Sequence, residues 1–198
     1  DVCNCEYTTH GHCGTIIDND VDNDLTIKTL SSQSLVLAKS GADALAPSDM
    51  MDGRVKAIRD ILDNNKFEKI PIFPYSVKYN SVFYGPFREA AKSSPNFGDR
   101  KTYQMNFKNS EEAINEVKLD INEGADVIII KPAISYLDII YRIKQKFNVP
   151  IIAYNVSGEY TMVKSASEKN FINGIETILE ILHSCLLYTS DAADDLLC

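Results

Sequence analysis

Residues 126–133 read DVIIIKPA, and this stretch predicts a strand around which the rest of the chain is arranged. Its β-branched run, residues 127–130, is typical of a strand buried on both faces. Pro132 lacks the N–H that the next ladder hydrogen bond needs, so we expect the strand to end with Lys131. An amine beside an apolar strand end loses its proton more readily than one in water, and a neutral amine attacks carbonyl groups. The alternative is a strand-end lysine in a structural ion pair.

Strands and helices alternate along the chain, and this order predicts an α/β fold with a parallel sheet covered by helices. The other predicted strands cover residues 43–47, 71–78 and 151–156. Apolar residues at helical spacing predict helices that begin near Asp24, after Gly53 and near Ser110, and over residues 136–147 and 173–182. The strand over residues 71–78 also ends in a lysine, Lys78. Chemistry at the C-terminal ends of parallel strands favours a TIM barrel.

Three of the five cysteines crowd into the first 13 residues, at Cys3, Cys5 and Cys13. Cysteines separated by one residue pair poorly as a disulfide, whereas their thiolates suit a metal ion. Three thiolates on one loop predict a Zn²⁺ site whose fourth position is open to water or substrate, as in catalytic zinc sites. His10 or His12 is the alternative fourth ligand, which would close the site and make it structural. Each histidine alone is more typical of a loop residue that hydrogen-bonds locally.

Composition narrows the classes of partner and compartment. Acidic residues outnumber basic ones by 28 to 20, the net charge is -8, and no Lys/Arg cluster forms a stripe. We therefore expect no nucleic-acid or membrane partner. No secretion signal is visible at the start of the chain, and clustered cysteines favour a reducing, cytoplasmic location.

Residues 79–109 have no sustained periodicity and carry glycine, proline and aromatic residues. A connection of this length inside a compact domain is unusual unless it is functional, so we expect a lid and name these residues the lid segment. Its arginines Arg88 and Arg100 can clamp a carboxylate bidentately. The alternative is that both are solvated surface arginines.

These motifs occur in unbroken order over roughly residues 1–180 and together resemble the porphobilinogen synthase family, also called 5-aminolevulinate dehydratase. The matching segments are the cysteine loop (residues 1–14), APSDMMDGRV at 46–55, YSVK at 75–78, both parts of the lid segment, KPA at 131–133 and VSGEY at 156–160. The resemblance implies a TIM barrel that condenses two molecules of 5-aminolevulinate into porphobilinogen, in tetrapyrrole and heme synthesis.

The resemblance also assigns roles to individual residues. Lys131 would form a Schiff base with the propionate-side substrate, Lys78 would hold the acetate-side substrate, and Cys3, Cys5 and Cys13 would hold a catalytic zinc. The expected substrate-binding residues are Arg88, Arg100 and Gln104 for the acetate-side carboxylate, Ser157 for the propionate-side carboxylate, and Asp1 and Ser48 near the substrate amine.

Glu116 matches a position where some bacterial members bind an allosteric Mg²⁺. It lies in a stripe with Glu112 and Asp120, where like charges cost stability unless a cation or an arginine compensates them. A solvated helix face is the alternative for this stripe. The resemblance further implies a homo-oligomer, an octamer in the family.

The family pattern is matched only in part. The chain would hold barrel strands four to seven and the zinc loop after strand three, which leaves an incomplete barrel over residues 1–184. Residues 185–198 do not resemble the expected continuation, which indicates either a sequence artefact or a divergent terminus. The competing functions are a Schiff-base aldolase on the same barrel and an inactive fragment with a structural zinc site.

Overall fold

The computed structural model describes residues 1–189. Five short strands are present in this part of the chain: β1 (Ile16–Ile17), β2 (Asp20–Val21), β3 (Val77–Lys78), β4 (Ile128–Lys131) and β5 (Ile151–Ala153). Seven α-helices accompany them: α1 (Asn23–Lys39), α2 (Arg54–Asn64), α3 (Gly85–Ala90), α4 (Ser110–Glu123), α5 (Leu137–Lys146), α6 (Ser157–Glu168) and α7 (Gly174–Thr189). No helix within residues 1–189 is long and apolar enough to cross a membrane.

A parallel sheet in the order β3-β4-β5 forms the centre of the molecule. Isolated parallel bridges extend it beyond β3, from Leu45 to Ile72 and from Val2 to Pro47. The sheet therefore has five parallel positions that run from the cysteine loop to β5. The predicted α/β fold with a helix-covered parallel sheet is confirmed.

Prolines explain why some predicted strands are short. Of the strand predicted over residues 71–78, only β3 makes regular ladder pairs, and residues 43–47 contribute only the isolated bridges. Pro74 cannot donate a hydrogen bond, but its carbonyl accepts one from the backbone N–H of Ile129 at 2.9 Å. The chain thus keeps its parallel course without a continuous ladder.

Helix α4 has the limits that its sequence predicts. The side chain of Asn109 accepts hydrogen bonds from the backbone N–H groups of Glu111 and Glu112, which would otherwise lack partners. Gly124 ends the helix at φ 105°, a left-handed conformation that glycine adopts without strain. The chain then enters β4, which ends at Lys131.

Helix α6, which follows the strand predicted over residues 151–156, was not predicted. Glu159 begins it: its buried carboxylate accepts hydrogen bonds at 2.8 Å from the backbone N–H groups of Val156 and Ile134. A glutamate at the third helical position was the available signal. Helix α7 also continues past the predicted end at residue 182 to Thr189, so it crosses the expected domain limit at residue 184, and residues 190–198 lie outside the described part.

Two buried apolar clusters hold the sheet and helices together. One joins β3, β4 and β5 to α4 and α5, and it includes Ile128 and Ile130 of β4. The other joins α1 and α2 to Leu45, Ile72 and Val2 at the start of the sheet. Burial of this apolar surface is the main favourable term that fixes the C-terminal strand ends beside one another.

Candidate active site

Lys78 and Lys131 end neighbouring parallel strands and are direct partners in the register of the sheet. Their Nζ atoms lie 5.5 Å and 5.3 Å from the centre of the same ring, that of Tyr75. The two lysines are therefore brought together at one strand-end cavity, as the strand pattern predicts.

Lys131 is surrounded by aromatic rings rather than by acids. Its Nζ lies 4.2 Å from the ring centre of Tyr154, 5.2 Å from that of Tyr84 and 5.8 Å from that of Phe87. No ion pair found among residues 1–189 involves Lys131. Burial, and then the positive charge of Lys78, lower its pKa to about 7. A large fraction of the Lys131 side chains is therefore neutral near pH 7, and the ion-pair interpretation of this residue is not supported.

Lys78 is buried more completely, at 6% exposure, and donates a hydrogen bond to the backbone carbonyl of Ser48. The same cavity, of about 180 Å³, is lined by both lysines and by Ser48. Asp1 and Cys5 also line it, so the cysteine loop forms part of the wall of the cavity that the two lysines share.

The sulfur atoms of Cys3, Cys5 and Cys13 lie within 4.8 Å of one another, and Cys3 and Cys5 are 3.3 Å apart. A tetrahedral ion with Zn–S bonds of about 2.3 Å separates its sulfurs by about 3.8 Å, so small movements would seat one. Hydrogen bonds with Cys3 and Cys5 hold the pKa of Cys13 well below its ordinary value, and Lys78 and Arg100 lower it further. Hydrogen bonding with Cys13 raises the pKa of Cys3 and of Cys5, so Cys13 is the most easily deprotonated of the three thiols that a metal would bind as thiolates.

Neither candidate histidine joins the three sulfurs. The ring nitrogens of His12 lie 3.1 Å from the Tyr103 hydroxyl and 3.0 Å from the Phe97 carbonyl, and His10 Nδ1 accepts from the His12 backbone N–H at 3.1 Å. Within residues 1–189, the three cysteines are the only group of three or more His, Cys, Asp or Glu side chains whose ligand atoms already lie close enough to share one ion. This arrangement fits an ion with three protein ligands and an open position, and it does not favour the closed, structural alternative.

The lid segment supplies cations to the cavity. Arg88 and Arg100 both line it, and Arg88 Nε and Nη2 and Arg100 Nε are buried without a hydrogen-bond partner. Arg100 Nη2 donates to the carbonyls of Gly11 at 2.8 Å and Ser93 at 2.6 Å. Unpartnered guanidinium donors are costly unless a ligand uses them, so these atoms suit an anion.

Other predicted residues lie at different distances from this cavity. Ser157 lines an adjoining cavity of about 120 Å³ that shares Lys131 and Phe87 with the first. Gln104 lies outside both: it lines a separate cavity of about 230 Å³, and both its amide atoms are buried without partners. The structure therefore brings Ser157 beside Lys131 but does not bring Gln104 to either lysine.

Glu116 lies in another cavity, of about 260 Å³, with Glu112 and Asp52. Burial, and then the charge of Asp120, raise the pKa of Glu116 to about 7. Asp120 is only 2% exposed and forms a bidentate pair with Arg54, at 3.2 and 3.3 Å. The solvated-face interpretation of this stripe is therefore wrong for Asp120, and an arginine compensates its charge.

The aromatic rings around Lys131 were not predicted from the sequence. Tyr154 directly follows β5 and Tyr75 lies two residues before β3, so both sit where strand ends converge. Tyr84 and Phe87 come from the lid segment. Aromatic residues beside the two lysines in a predicted parallel sheet were the available signal.

Comparisons with known proteins identify the family. A family model described as delta-aminolevulinic acid dehydratase matches residues 1–191. The chain is 57% identical over 184 residues to the delta-aminolevulinic acid dehydratase of Methanothermus sociabilis, and the aligned region covers 91% of this chain and 58% of the relative. It is 53% identical over 184 residues to that of Bacillus subtilis (strain 168), which covers 93% of this chain and 57% of the relative.

A solved structure agrees with these sequences. The crystal structure of delta-aminolevulinic acid dehydratase (porphobilinogen synthase) from Toxoplasma gondii ME49, in complex with the reaction product porphobilinogen, superposes with a TM-score of 0.94 at 46% identity. The match covers 97% of this chain and 55% of that one, so the chain spans little more than half the length of its relatives. The chain belongs to the delta-aminolevulinic acid dehydratase family.

Proposed function

We propose that this chain is part of a porphobilinogen synthase, a lyase that condenses two molecules of 5-aminolevulinate into porphobilinogen in tetrapyrrole and heme synthesis. The observation that carries the proposal is the convergence of Lys131, Lys78 and Cys5 on one cavity. Membership of the family, and a structural neighbour that holds porphobilinogen, support the same substrate class.

Lys131 is the proposed nucleophile. Its neutral amine attacks the keto carbon of the propionate-side substrate, and loss of one water molecule leaves a C=N bond between Nζ and that carbon. The lowered pKa of Lys131 supports this step because only the unprotonated amine has the lone pair that the attack needs. Ser157, beside the same aromatic rings, would bind the propionate-side carboxylate.

Lys78 would hold the acetate-side substrate from the other half of the cavity. Arg88 and Arg100 would bind its carboxylate with the guanidinium donors that have no protein partner. Gln104 would join them only after a movement of the lid segment, since it now faces a different cavity. Asp1 and Ser48 line the cavity and would contact the substrate amine.

Cys3, Cys5 and Cys13 would hold a zinc ion as three thiolates. When bound, zinc supplies a Lewis acid that polarises the acetate-side substrate. Glu116 is the proposed ligand of a second ion, Mg²⁺, with Glu112 and Asp52 on the same cavity wall.

The parallel sheet is the proposed strand-four-to-seven part of an incomplete TIM barrel. Five parallel positions in chain order, with helices between them, support this arrangement. By the family resemblance the protein would be a cytoplasmic homo-octamer, with 5-aminolevulinate as its small-molecule partner and no nucleic-acid or membrane partner. Residues 1–184 would form the barrel part and residues 185–198 a tail unlike the family, whose first residues continue helix α7 to Thr189.

The test is porphobilinogen formation by the full-length protein and two lysine variants. We expect Lys131→Met to lower kcat by at least about 10³-fold, because it removes the only proposed nucleophile for the first C=N bond. Lys164→Met, which removes an exposed lysine of α6, is the matched control and should change kcat less than about twofold. Turnover by Lys131→Met within tenfold of the parent protein would refute the assignment.

Two further variants separate the condensation from the aldolase alternative. Lys78→Met and Cys3→Ser should each abolish porphobilinogen formation, since the reaction needs a second lysine and three sulfurs. A Schiff-base aldolase would use only one of the lysines and none of the cysteines. Retention of aldol cleavage in both variants, without porphobilinogen, would favour that alternative.

A further inference from the structure

The cysteine loop and the lid segment are joined by a dense set of hydrogen bonds, although the bonded residues are more than 80 positions apart in sequence. Arg100 Nη2 donates to the Gly11 carbonyl at 2.8 Å, and the backbone N–H of Asn96 donates to the His10 carbonyl at 3.0 Å. Gly11 makes the approach close, since a Cβ there would lie 2.5 Å from the carbonyl oxygen of Ser94.

His12 is the centre of this contact. It is 4% exposed, and its ring lies 4.8 Å from the ring of Phe97, centre to centre. The Phe97 carbonyl can only accept, so Nε2 of His12 donates to it, and in the neutral ring Nδ1 accepts from the hydroxyl of Tyr103. Both ring nitrogens of a cysteine-loop residue therefore bind the lid segment.

Tyr103 extends the contact to the metal-ligand backbone. Its hydroxyl, which donates to His12, accepts a hydrogen bond from the backbone N–H of Cys13 at 3.4 Å. A single hydroxyl of the lid segment thus touches both the histidine and the peptide group of a proposed zinc ligand. The same segment carries Arg88 and Arg100 into the lysine cavity.

We propose that His12 and Tyr103 are positioning residues that couple metal binding by the three cysteines to closure of the lid segment over the lysine cavity. This inference rests on the proposed metal role of those cysteines. An ion held by Cys13 would fix the peptide group that Tyr103 contacts. His12, which is hydrogen-bonded to the Tyr103 hydroxyl and to the Phe97 carbonyl, would then hold the lid segment in place. Coupling between two sites is reciprocal, so closure of the lid segment strengthens metal binding by the same factor.

Hydrogen exchange with mass spectrometry tests the coupling in the full-length protein, freed of metal by a chelator and then titrated with Zn²⁺. In the parent protein we expect zinc to slow exchange of peptides from residues 93–104 by about tenfold, a typical size for such coupling. Tyr103→Phe keeps the ring and loses the hydroxyl, so zinc should slow the same peptides less than about twofold. Because the coupling is reciprocal, the zinc dissociation constant of Tyr103→Phe should rise by the same factor by which the zinc-dependent slowing of exchange in the lid segment falls.

Two further variants complete the design. His12→Phe should behave as Tyr103→Phe does, because it removes both ring hydrogen bonds and keeps an aromatic ring against Phe97. Tyr7→Phe is the matched control, since Tyr7 lies in the same loop and is 79% exposed. Peptides from α4 report whether each variant remains folded, and a loss of protection confined to the lid segment marks the lost contact.

The outcomes separate the coupling from the metal role. Zinc that binds the parent protein without slowing exchange in the lid segment, or that slows it equally in Tyr103→Phe and His12→Phe, overturns the coupling alone. A parent protein that binds no zinc overturns both the coupling and the proposed metal role. Protection that depends on zinc in the parent and in Tyr7→Phe, and is lost in the other two variants, supports it.

Discussion

Arg54 and Lys131 are both buried cations, but their surroundings are opposite. Arg54 forms a bidentate pair with Asp120 and lies 3.7 Å from Asp49, and these carboxylates raise its pKa even though burial lowers it. Lys131 has aromatic rings around it, burial lowers its pKa to about 7, and no ion pair within residues 1–189 includes it. The acidic partners of Arg54 hold it in its charged form, whereas the burial of Lys131 favours the neutral amine.

The comparison also separates what each cation contributes to stability. The Arg54 side chain further donates to the carbonyls of Met51 and Tyr75, so it joins the start of α2 to the strand that leads to Lys78. Lys131 makes no comparable set of hydrogen bonds among the residues that the structure describes. We therefore expect loss of Arg54 to damage the fold and loss of Lys131 to damage only the chemistry.

The largest expected effect on stability is that of Arg54→Met. Removing one partner leaves the Asp120 and Asp49 carboxylates buried without their cation, which should lower the free energy of unfolding by about 3–5 kcal/mol. Urea denaturation of the full-length protein measures it. A loss below about 1 kcal/mol would contradict the assignment of Arg54 as a structural cation.

A smaller effect is expected for Asp49, whose carboxyl is fully buried with a pKa raised to about 6 by burial. The unfolded chain ionises this group near pH 4, so the folded protein loses stability relative to Asp49→Asn as the pH rises from about 4 to about 6. The expected difference is about 2 kcal/mol, from parallel denaturation curves of both proteins at pH 4 and pH 7. A difference that is the same at both pH values would show that Asp49 titrates normally.

Lys131 should give the parent protein a weaker pH dependence of stability, in the opposite direction, when it is compared with Lys131→Met. The folded pKa of about 7 lies below that of an unfolded lysine, so the cost of burying the charged amine is fully present below pH 7 and disappears as the pH rises toward 10. The parent protein should therefore gain roughly 1 kcal/mol relative to Lys131→Met between pH 7 and pH 9.5, a value reduced because the side chain is partly exposed. Thermal or urea unfolding at the two pH values measures it, and no change would place the Lys131 pKa near its ordinary value.

The smallest effect is expected at the surface. Lys56 pairs with Asp60 on the exposed side of α2, where the two side chains are 58% and 53% exposed. Lys56→Met should change the free energy of unfolding by less than about 1 kcal/mol, because water screens the pair. This variant is the control for Arg54→Met, since both remove a cation from helix α2. An equal loss of stability in the two variants would contradict the distinction between a buried and an exposed cation.

The sequence predicts the parts of the structure that depend on local pattern. The apolar run before Lys131, the Asn109 and Gly124 limits of α4, and the clustering of the three cysteines all follow from residue order. The register that pairs Lys78 with Lys131 follows from parallel strands that both end in lysine.

The remaining features depend on contacts between distant segments. Nothing local indicates that Tyr84 and Phe87 of the lid segment reach Lys131, or that Asp120 of α4 meets Arg54 of α2. Gln104 illustrates the same limit, because its sequence position does not reveal that it lines a separate cavity and not the lysine cavity. The prolines of the strand over residues 71–78 indicate irregular pairing, but they do not predict which residues form the isolated bridges.

The most direct test of the unpaired, neutral Lys131 is the pH dependence of its reductive trapping by 5-aminolevulinate. The initial rate of labelling at Lys131 is followed by peptide mass spectrometry in the full-length protein with cyanoborohydride, and its pH profile is compared with that of a free model lysine in the same tube. The aromatic surroundings of Lys131 predict a rate that rises to a plateau with a midpoint near pH 7. A midpoint near pH 10, or label that accumulates on other lysines and not on Lys131, would contradict the account.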